Sequence, residues 1–352
     1  MDYKKEIQDL VDLILKEGAS DLHLSVGRTP IIRVSGNLIP LVKKPILTDK
    51  DLQGFSDVFL SEDSKEILKR EKDVDFSYNL IASRFRGNAY FRQGSLSIAL
   101  RLIPKSIRTL AELNLPPILE SFTRKQQGFF LVVGPIGQGK TTTLATLIEM
   151  INQTRTEHIL TIEDPIEYQF ESKKSIIDQR EVRIDTPDFH NALIAMFRED
   201  IDVCMVGEMR DNMTISTAVT AAETGHLIFS TLHTNDASQT INRIIDSFPS
   251  NQQDQIRVQL AGSLSGIFSQ RLIPRISGGL VPAYELLINN NAVSNLIREK
   301  RIHEIDTVIE TSSQEGMVDL NRSLAELVRS GEITVESAYT NSLNPKTLER
   351  MI

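Results

Sequence analysis

At 352 residues the chain is too long for one small domain and long enough for two, with a sizeable core. Its formal net charge of −8 excludes a protein built mainly to grip nucleic-acid backbones, a task that needs an excess of Lys and Arg. One cysteine, Cys204, in an apolar run excludes an internal disulfide and a zinc site of several cysteines, and fits a reducing compartment.

The start, Met1-Asp2-Tyr3-Lys4-Lys5, leads into an amphipathic helix instead of a signal peptide, and no segment approaches the about 18 consecutive apolar residues of a membrane span. Ile7, Leu10, Val11, Ile14 and Leu15 fall at helical spacing and predict a helix over 6–17, stopped by Gly18. Short β-like runs follow, Leu22-His23-Leu24 and Ile31-Ile32-Arg33-Val34, with a turn at Ser35-Gly36-Asn37; His23 reads as a packed strand residue. Residues 84–92 and 96–103 predict a hairpin turning near Gln93-Gly94. Between Phe76 and Ala111 no acidic residue occurs, while Arg84, Arg86, Arg92, Arg101, Lys105 and Arg108 all do. This basic ribbon either faces anions or pairs with carboxylates elsewhere on the surface. Residues 104–117, ending in Pro116-Pro117, read as linker, so the expected division is 1–110, a linker core at 111–117, and 118–352.

Phe129 to Val133 predicts a strand, and the residues from Lys140 predict a helix. Between them Gly134-Pro135-Ile136-Gly137-Gln138-Gly139-Lys140-Thr141 fits Gly-x4-Gly-Lys-[Ser/Thr]. Such a loop converges backbone N–H groups on phosphate oxygens, aided by the positive end of the following helix. Lys140 would reach the β and γ phosphates, and Thr141 would offer its hydroxyl to Mg²⁺. Gly134, Gly137, Gln138, Gly139, Lys140, Thr141 and Thr142 are therefore the expected cradle for a nucleoside triphosphate, ATP.

Three further strand-like runs, 158–162, 203–206 and 227–232, alternate with helical stretches and predict a doubly wound, mainly parallel sheet, whose ligands sit beyond the carboxyl ends of the strands. Those ends carry Glu163-Asp164, Gly207-Glu208 and His233-Thr234. A carboxylate there can orient water or hold a metal, or merely cap a helix. His233 is either a phosphate sensor or a structural histidine, Asp211 a candidate helix cap, and His226 open between the two readings. Residues 236–248 and 251–272 predict two amphipathic helices. A strand over 280–288 and helices over 292–300, 319–330 and 334–340 complete the chain; there is no internal repeat.

The chain resembles the secretion ATPases of type II and type IV pilus systems, and among them the pilus retraction ATPases. The likeness rests on Gly18-Ala19-Ser20-Asp21-Leu22-His23-Leu24, the phosphate loop, the acidic box Ile159 to Glu167, the second nucleotide motif Val206 to Asp211, and the histidine box from Thr220 to Thr234. Ala292 to Glu299 resembles the carboxy-terminal motif of retraction ATPases, with Val293 and Ser294 in place of Ile-Arg. Gln138 and Ile201 replace a usual serine and proline. The four-cysteine zinc site and long amino-terminal region of assembly and secretion relatives are lacking, which favours retraction.

The resemblance implies a small PAS-like α/β amino-terminal domain followed by a RecA-like core, helical from about residue 290, and a homo-hexameric ring. It implies a cytoplasmic motor, associated peripherally with the inner membrane, that works on a platform protein to withdraw pilin. Glu163, Glu208 and His233 would be catalytic. Mg²⁺ would be held by Thr141 with Glu163 or Glu208, and the two carboxylates would share the water-orienting and metal-holding roles in an order left open. Arg86 and Arg101 would act in the site of a neighbouring copy, and residues 292–300 would couple the ring to the pilus machinery. The alternatives are an accessory pilus or secretion ATPase and a RecA-like nucleic-acid motor; a small-molecule kinase or GTPase leaves the basic ribbon unexplained, and Asn-Lys-x-Asp for guanine is lacking.

Overall fold

The computed structural model describes residues 2–34, 36–80, 83–103 and 106–352; the Ser35 position of the expected turn, Lys105 of the basic ribbon and the Pro104 start of the expected linker lie outside the described residues. The chain divides into two compact units, Met1–Ser106 with Glu167–Gln169, and Ile107–Ile166 with Phe170–Ile352.

The first unit runs α1 (Tyr3–Glu17), β1 (Asp21–Ser25), β2 (Ile31–Val34), β3 (Asn37–Pro40), α2 (Asp49–Phe59), α3 (Glu62–Glu71), β4 (Asp73–Leu80), β5 (Ser83–Arg92) and β6 (Ser95–Ile103). α1 forms because Ile7, Leu10, Val11 and Ile14 share one buried face; Asp2 accepts from the Lys5 N–H at its start, and Gly18 ends it in the left-handed region at φ 63°. The six strands form an antiparallel sheet in the order β3-β2-β1-β6-β5-β4. Gln93 and Gly94, both at positive φ (52° and 83°), make the tight turn between β5 and β6. Leu22, Leu24, Phe85, Ala89, Ile98 and Leu100 point to one face and pack against the apolar faces of the helices.

The second unit continues with α4 (Glu120–Thr123), β7 (Gly128–Val133), α5 (Lys140–Thr154), β8 (His158–Glu163), β9 (Ile176–Glu181), α6 (Phe189–Met196), β10 (Val203–Val206), α7 (Asn212–Glu223), β11 (Leu227–Leu232), α8 (Ala237–Asp246), α9 (Gln253–Ser263), β12 (Leu264–Pro274) and β13 (Leu280–Ile288). α10 (Asn291–Arg298), α11 (Ile305–Thr311), α12 (Leu320–Arg329), α13 (Val335–Asn341) and α14 (Pro345–Glu349) form the helical carboxy-terminal region. The sheet order is β13-β12-β7-β11-β10-β8-β9, parallel except where β12 meets β13. Every residue of β7 is buried: Phe129, Leu131 and Val133 belong to the core on one face, Phe130 and Val132 to the core on the other. This is the doubly covered parallel sheet that the alternation of elements predicts.

One expectation is corrected. The helix predicted over 251–272 ends at Ser263, and Leu264–Pro274 is strand β12. Its apolar residues are split between the two faces of the sheet and interrupted by Ser265, Gly266, Ser269, Gln270 and Arg271, so the run follows neither the helical nor the strand period cleanly. In α10, Val293, Leu296 and Ile297 are buried in the core. Leu296 and Ile297 thus anchor the helix, whose exposed residues are Asn291, Ala292, Asn295 and Arg298. Among the described residues no helix is long and apolar enough to cross a membrane.

Candidate active site

The carboxyl ends of β7, β11, β10 and β8 lie side by side, so the groups that follow them share one edge of the sheet. After β7 the chain turns through Gly134, Gly137 and Gly139, at φ 146°, 78° and 77°, and enters α5 at Lys140. Only glycine adopts this succession without strain, and it exposes the loop's N–H groups at the helix's positive end. Lys140, 7% exposed, has its Nζ donating to the carbonyls of Gly134 (2.8 Å) and Pro135 (2.9 Å).

The same ammonium stands 3.2 Å from Nδ1 of His233, which follows β11. A lysine ammonium can only donate, so Nδ1 is the unprotonated ring nitrogen and Nε2 carries the hydrogen. Burial, and then the positive charge of Lys140, hold His233 below the ordinary imidazole pKa. Its Nε2 faces Glu208 Oε2 at 3.9 Å, and Glu208 forms an ion pair with Arg210. Lysine, histidine, glutamate and arginine thus form one line from the phosphate loop across β11 to β10.

Glu163 ends β8, one strand further along, and is 3% exposed. Thr161 Oγ1 (2.7 Å) and Gln179 Nε2 (3.2 Å) donate to its Oε1. Gly207 lets the β10 end approach: a Cβ there would lie 3.5 Å from the Glu163 Cα and 3.2 Å from the Ile162 carbonyl oxygen. The hydroxyls of Ser230 and Thr231 donate to the carbonyls of Val206 and Gly207, each at 2.7 Å, fixing the strand end that carries Glu208.

The family described as "Type II/IV secretion system protein" matches residues 3–279. The chain belongs to this family. It is 40% identical over 342 residues, 97% of its length and 99% of the other, to a protein of Pseudomonas aeruginosa named "Type IV pilus retractation ATPase PilT". A "Twitching motility protein" of Neisseria gonorrhoeae is 42% identical over 322 residues, covering 91% of this chain and 86% of that one. Among solved structures, that of the pilus retraction motor PilT with bound ADP superposes with a TM-score of 0.91 at 46% identity, over 97% of this chain and 98% of the other. The fold is accordingly that of this family of secretion ATPases, an amino-terminal α/β domain followed by a RecA-like core with a helical carboxy-terminal extension.

Of the residues singled out by sequence, the structure brings Lys140, His233 and Glu208 together and sets Glu163 at the neighbouring strand end. Asp211 caps α7, its carboxylate accepting from the Thr214 N–H (2.9 Å) and hydroxyl (2.7 Å). His226 is held by the Ala221 carbonyl 3.0 Å from Nδ1 and by the edge of Phe197. Arg86 and Arg101 belong to the first unit, opposite one another across β5 and β6. The ribbon is not uncompensated: Arg101 Nε donates to Asp21 Oδ1 at 2.8 Å, and Arg33 approaches the same carboxylate at 3.9 Å. Although Asp21 lies in β1, outside the acid-free stretch, the β1–β6 pairing sets it in register with Arg101. Thr161, Gln179 and Arg210 act on the carboxylates and have no chemical signature of their own in the sequence; only the alternation in Thr161-Ile162-Glu163, which turns Thr161 and Glu163 to one face, is legible in advance.

Proposed function

We propose that the chain is an ATP-hydrolysing motor of pilus retraction, working as a ring of six copies on an inner-membrane platform protein from the cytoplasmic side. The observation that carries this reading is the line Lys140, His233, Glu208 on the strand-end edge, in a chain similar to pilus retraction ATPases over nearly its whole length.

In this reading Gly134, Gly137, Gln138, Gly139, Lys140, Thr141 and Thr142 hold the phosphates of ATP. The Thr141 hydroxyl and a carboxylate form an all-oxygen donor set, which suits a hard divalent ion. Among the described residues no group of three or more His, Cys, Asp or Glu could hold a metal, as fits Mg²⁺ bound by one or two protein oxygens together with phosphates. Mg²⁺ would supply charge neutralisation at the phosphates. Glu208, nearer to the loop by strand order, is assigned to the ion, and Glu163, one strand further and fixed by two hydrogen bonds, to orienting the attacking water. His233, neutral and seated between Lys140 and Glu208, is placed to respond to the γ phosphate. Arg86 and Arg101 are assigned to the site of an adjacent copy, where phosphoryl transfer calls for further positive charge.

The test has two arms. Purified protein should hydrolyse ATP at a rate that DNA does not change and that Lys140→Ala abolishes; strong DNA stimulation would favour a nucleic-acid motor. Deleting the gene should leave long, static fibres in cells with labelled pili. Normal fibre shortening in the deletion strain would overturn the retraction role.

A further inference from the structure

β12 runs parallel to β7 as far as Ser269 beside Val133. Beyond that point β7 gives way to the phosphate loop, while β12 continues to Pro274, still paired with β13. Gln270 and Leu272 therefore flank the loop, and the fit is tight. A Cβ on Gly134 would lie 2.3 Å from the Gln270 carbonyl oxygen, and one on Gly139 would lie 3.0 Å from Gln270 Nε2 and 3.3 Å from Leu272 Cδ1.

Three side-chain hydrogen bonds close the contact. Gln270 Nε2 donates to the Gln138 carbonyl at 2.7 Å, the Leu272 N–H donates to Gln138 Oε1 at 2.6 Å, and Thr143 Oγ1 donates to Gln270 Oε1 at 2.7 Å. Gln270 is 3% exposed, and its bond with Thr143 is fully buried, while the two bonds to Gln138 are part-buried. Its amide orientation is determined, because a backbone carbonyl can only accept and must meet the –NH₂ group. The strand is also held from its other side, where Arg271 Nη1 donates to the Asn341 carbonyl at 2.8 Å.

We infer that Gln270 is a positioning residue of the phosphate loop: by holding the Gln138 carbonyl against β12 it aims the Gly139 N–H in the opposite direction, toward the bound phosphates. The physical step is the planar trans peptide between residues 138 and 139, in which C=O and N–H point to opposite sides. Fixing one fixes the other. Gln138, the residue that stands where the family usually has serine, adds a second tie through its own side chain. This inference rests on the reading of the loop as an ATP site. It goes beyond that reading by making nucleotide affinity depend on a strand that carries no phosphate ligand of its own.

The experiment compares wild type with Gln270→Met, which keeps side-chain length and removes both amide bonds. A loop that is no longer preformed binds nucleotide less well, so the Kd for ADP and the KM for ATP should rise together by about tenfold, the scale of one lost buried hydrogen bond. The kcat should change less than KM, because the groups at the reacting phosphate are untouched. Thr143→Val is the second variant. It frees the Gln270 amide to rotate and should give a smaller rise in the same two constants, while Thr143→Ser, which keeps the hydroxyl, should restore them.

A residue that only fills space would lower the melting temperature of Gln270→Met and leave Kd and KM of the folded protein unchanged, and that result overturns the inference. So does a fall in kcat with KM constant. Should Gln270→Met not fold, unchanged constants in Thr143→Val would have the same force. Absence of ATP and ADP binding by the wild type would instead remove the ATPase reading itself, before any variant is compared.

Discussion

Across the antiparallel sheet of the first unit, Arg86 and Arg101 stand opposite one another in mid-strand, and Asp21 from the next strand meets the second of them. Across the parallel sheet of the second unit, the interiors of β7, β10 and β11 are wholly buried, and Lys140, Glu208 and His233 come after the strands end. The contrast follows from strand direction. Antiparallel alternation exposes one face along its whole length, so charges there lie at many places and find partners by register. Parallel strands finish on one edge, so an apolar run followed by a polar residue delivers that residue to the same place each time. Charge in the first unit is therefore spread and balanced locally, whereas in the second it is concentrated.

The largest expected effect breaks this comparison if it fails. If the arginines of the antiparallel sheet complete the site of an adjacent copy, Arg86→Ala or Arg101→Ala should bind ATP yet lose about 10³ or more in turnover, the scale of an arginine finger. Mixed assemblies of either variant with Lys140→Ala should regain activity, because some interfaces then combine an intact loop with an intact arginine. No recovery at any ratio, with mixing demonstrated, would return both residues to local charge balance.

A smaller effect sharpens the role of Asp21. Its carboxyl is buried, which opposes ionisation, but the Ser20 hydroxyl and Arg101 bring it below the usual carboxylate range. It is thus a fixed anchor for Arg101. Asp21→Asn should keep the fold and ATP binding while lowering turnover on the order of tenfold by letting the guanidinium wander. Unchanged steady-state kinetics would make the pair a surface ornament of the sheet.

A third effect, read in stability and not in turnover, concerns Glu285 on β13, at the antiparallel edge of the second sheet. It is buried, and its carboxyl accepts from the Ala237 N–H at 2.8 Å. Burial, with help from the negative charges of Asp236, Asp306 and Asp319, pushes its pKa from 4.5 up to about 8. A raised folded-state pKa means that the native chain holds a proton that the unfolded chain has lost. The associated stability is complete below about pH 4.5 and is lost as the pH rises through about 8. Denaturant titrations from pH 6 to 8 should show wild type weakening by at most about 1.4 kcal/mol per pH unit from this group. Glu285→Gln should flatten that slope, and an equally steep fall in the variant would assign it elsewhere.

The same contrast explains what the sequence discloses. The phosphate loop, the strand-end carboxylates and His233 are legible because each is a short local pattern at the end of an apolar run. The β5–β6 hairpin is legible from its alternation and from Gln93-Gly94. α2 and β4 carry local signals of their own, Leu52, Phe55 and Phe59 behind the Thr48–Asp51 capping box and the alternation of Val74, Phe76 and Tyr78 with polar residues, whereas β9, with exposed Ile176 and polar Asp178, Gln179 and Arg180, does not look like a strand. β12 mixes apolar residues with Ser265, Gly266, Ser269, Gln270 and Arg271 and carries no clean alternation. The ties between Gln179 and Glu163, Asp21 and Arg101, and Gln270 and Gln138 join residues that no local pattern connects; they exist only once the strands are side by side.

The central claim is that hydrolysis is performed at the parallel-sheet edge, with Glu163 and Glu208 in different roles. The direct measurement is ATP binding and single-turnover hydrolysis of Glu163→Gln and Glu208→Gln across a Mg²⁺ titration. Both should bind ATP nearly as wild type does and lose about 10² or more in the hydrolytic step, and only Glu208→Gln should require more Mg²⁺ to reach its plateau. Near-normal hydrolysis in both variants would contradict the account.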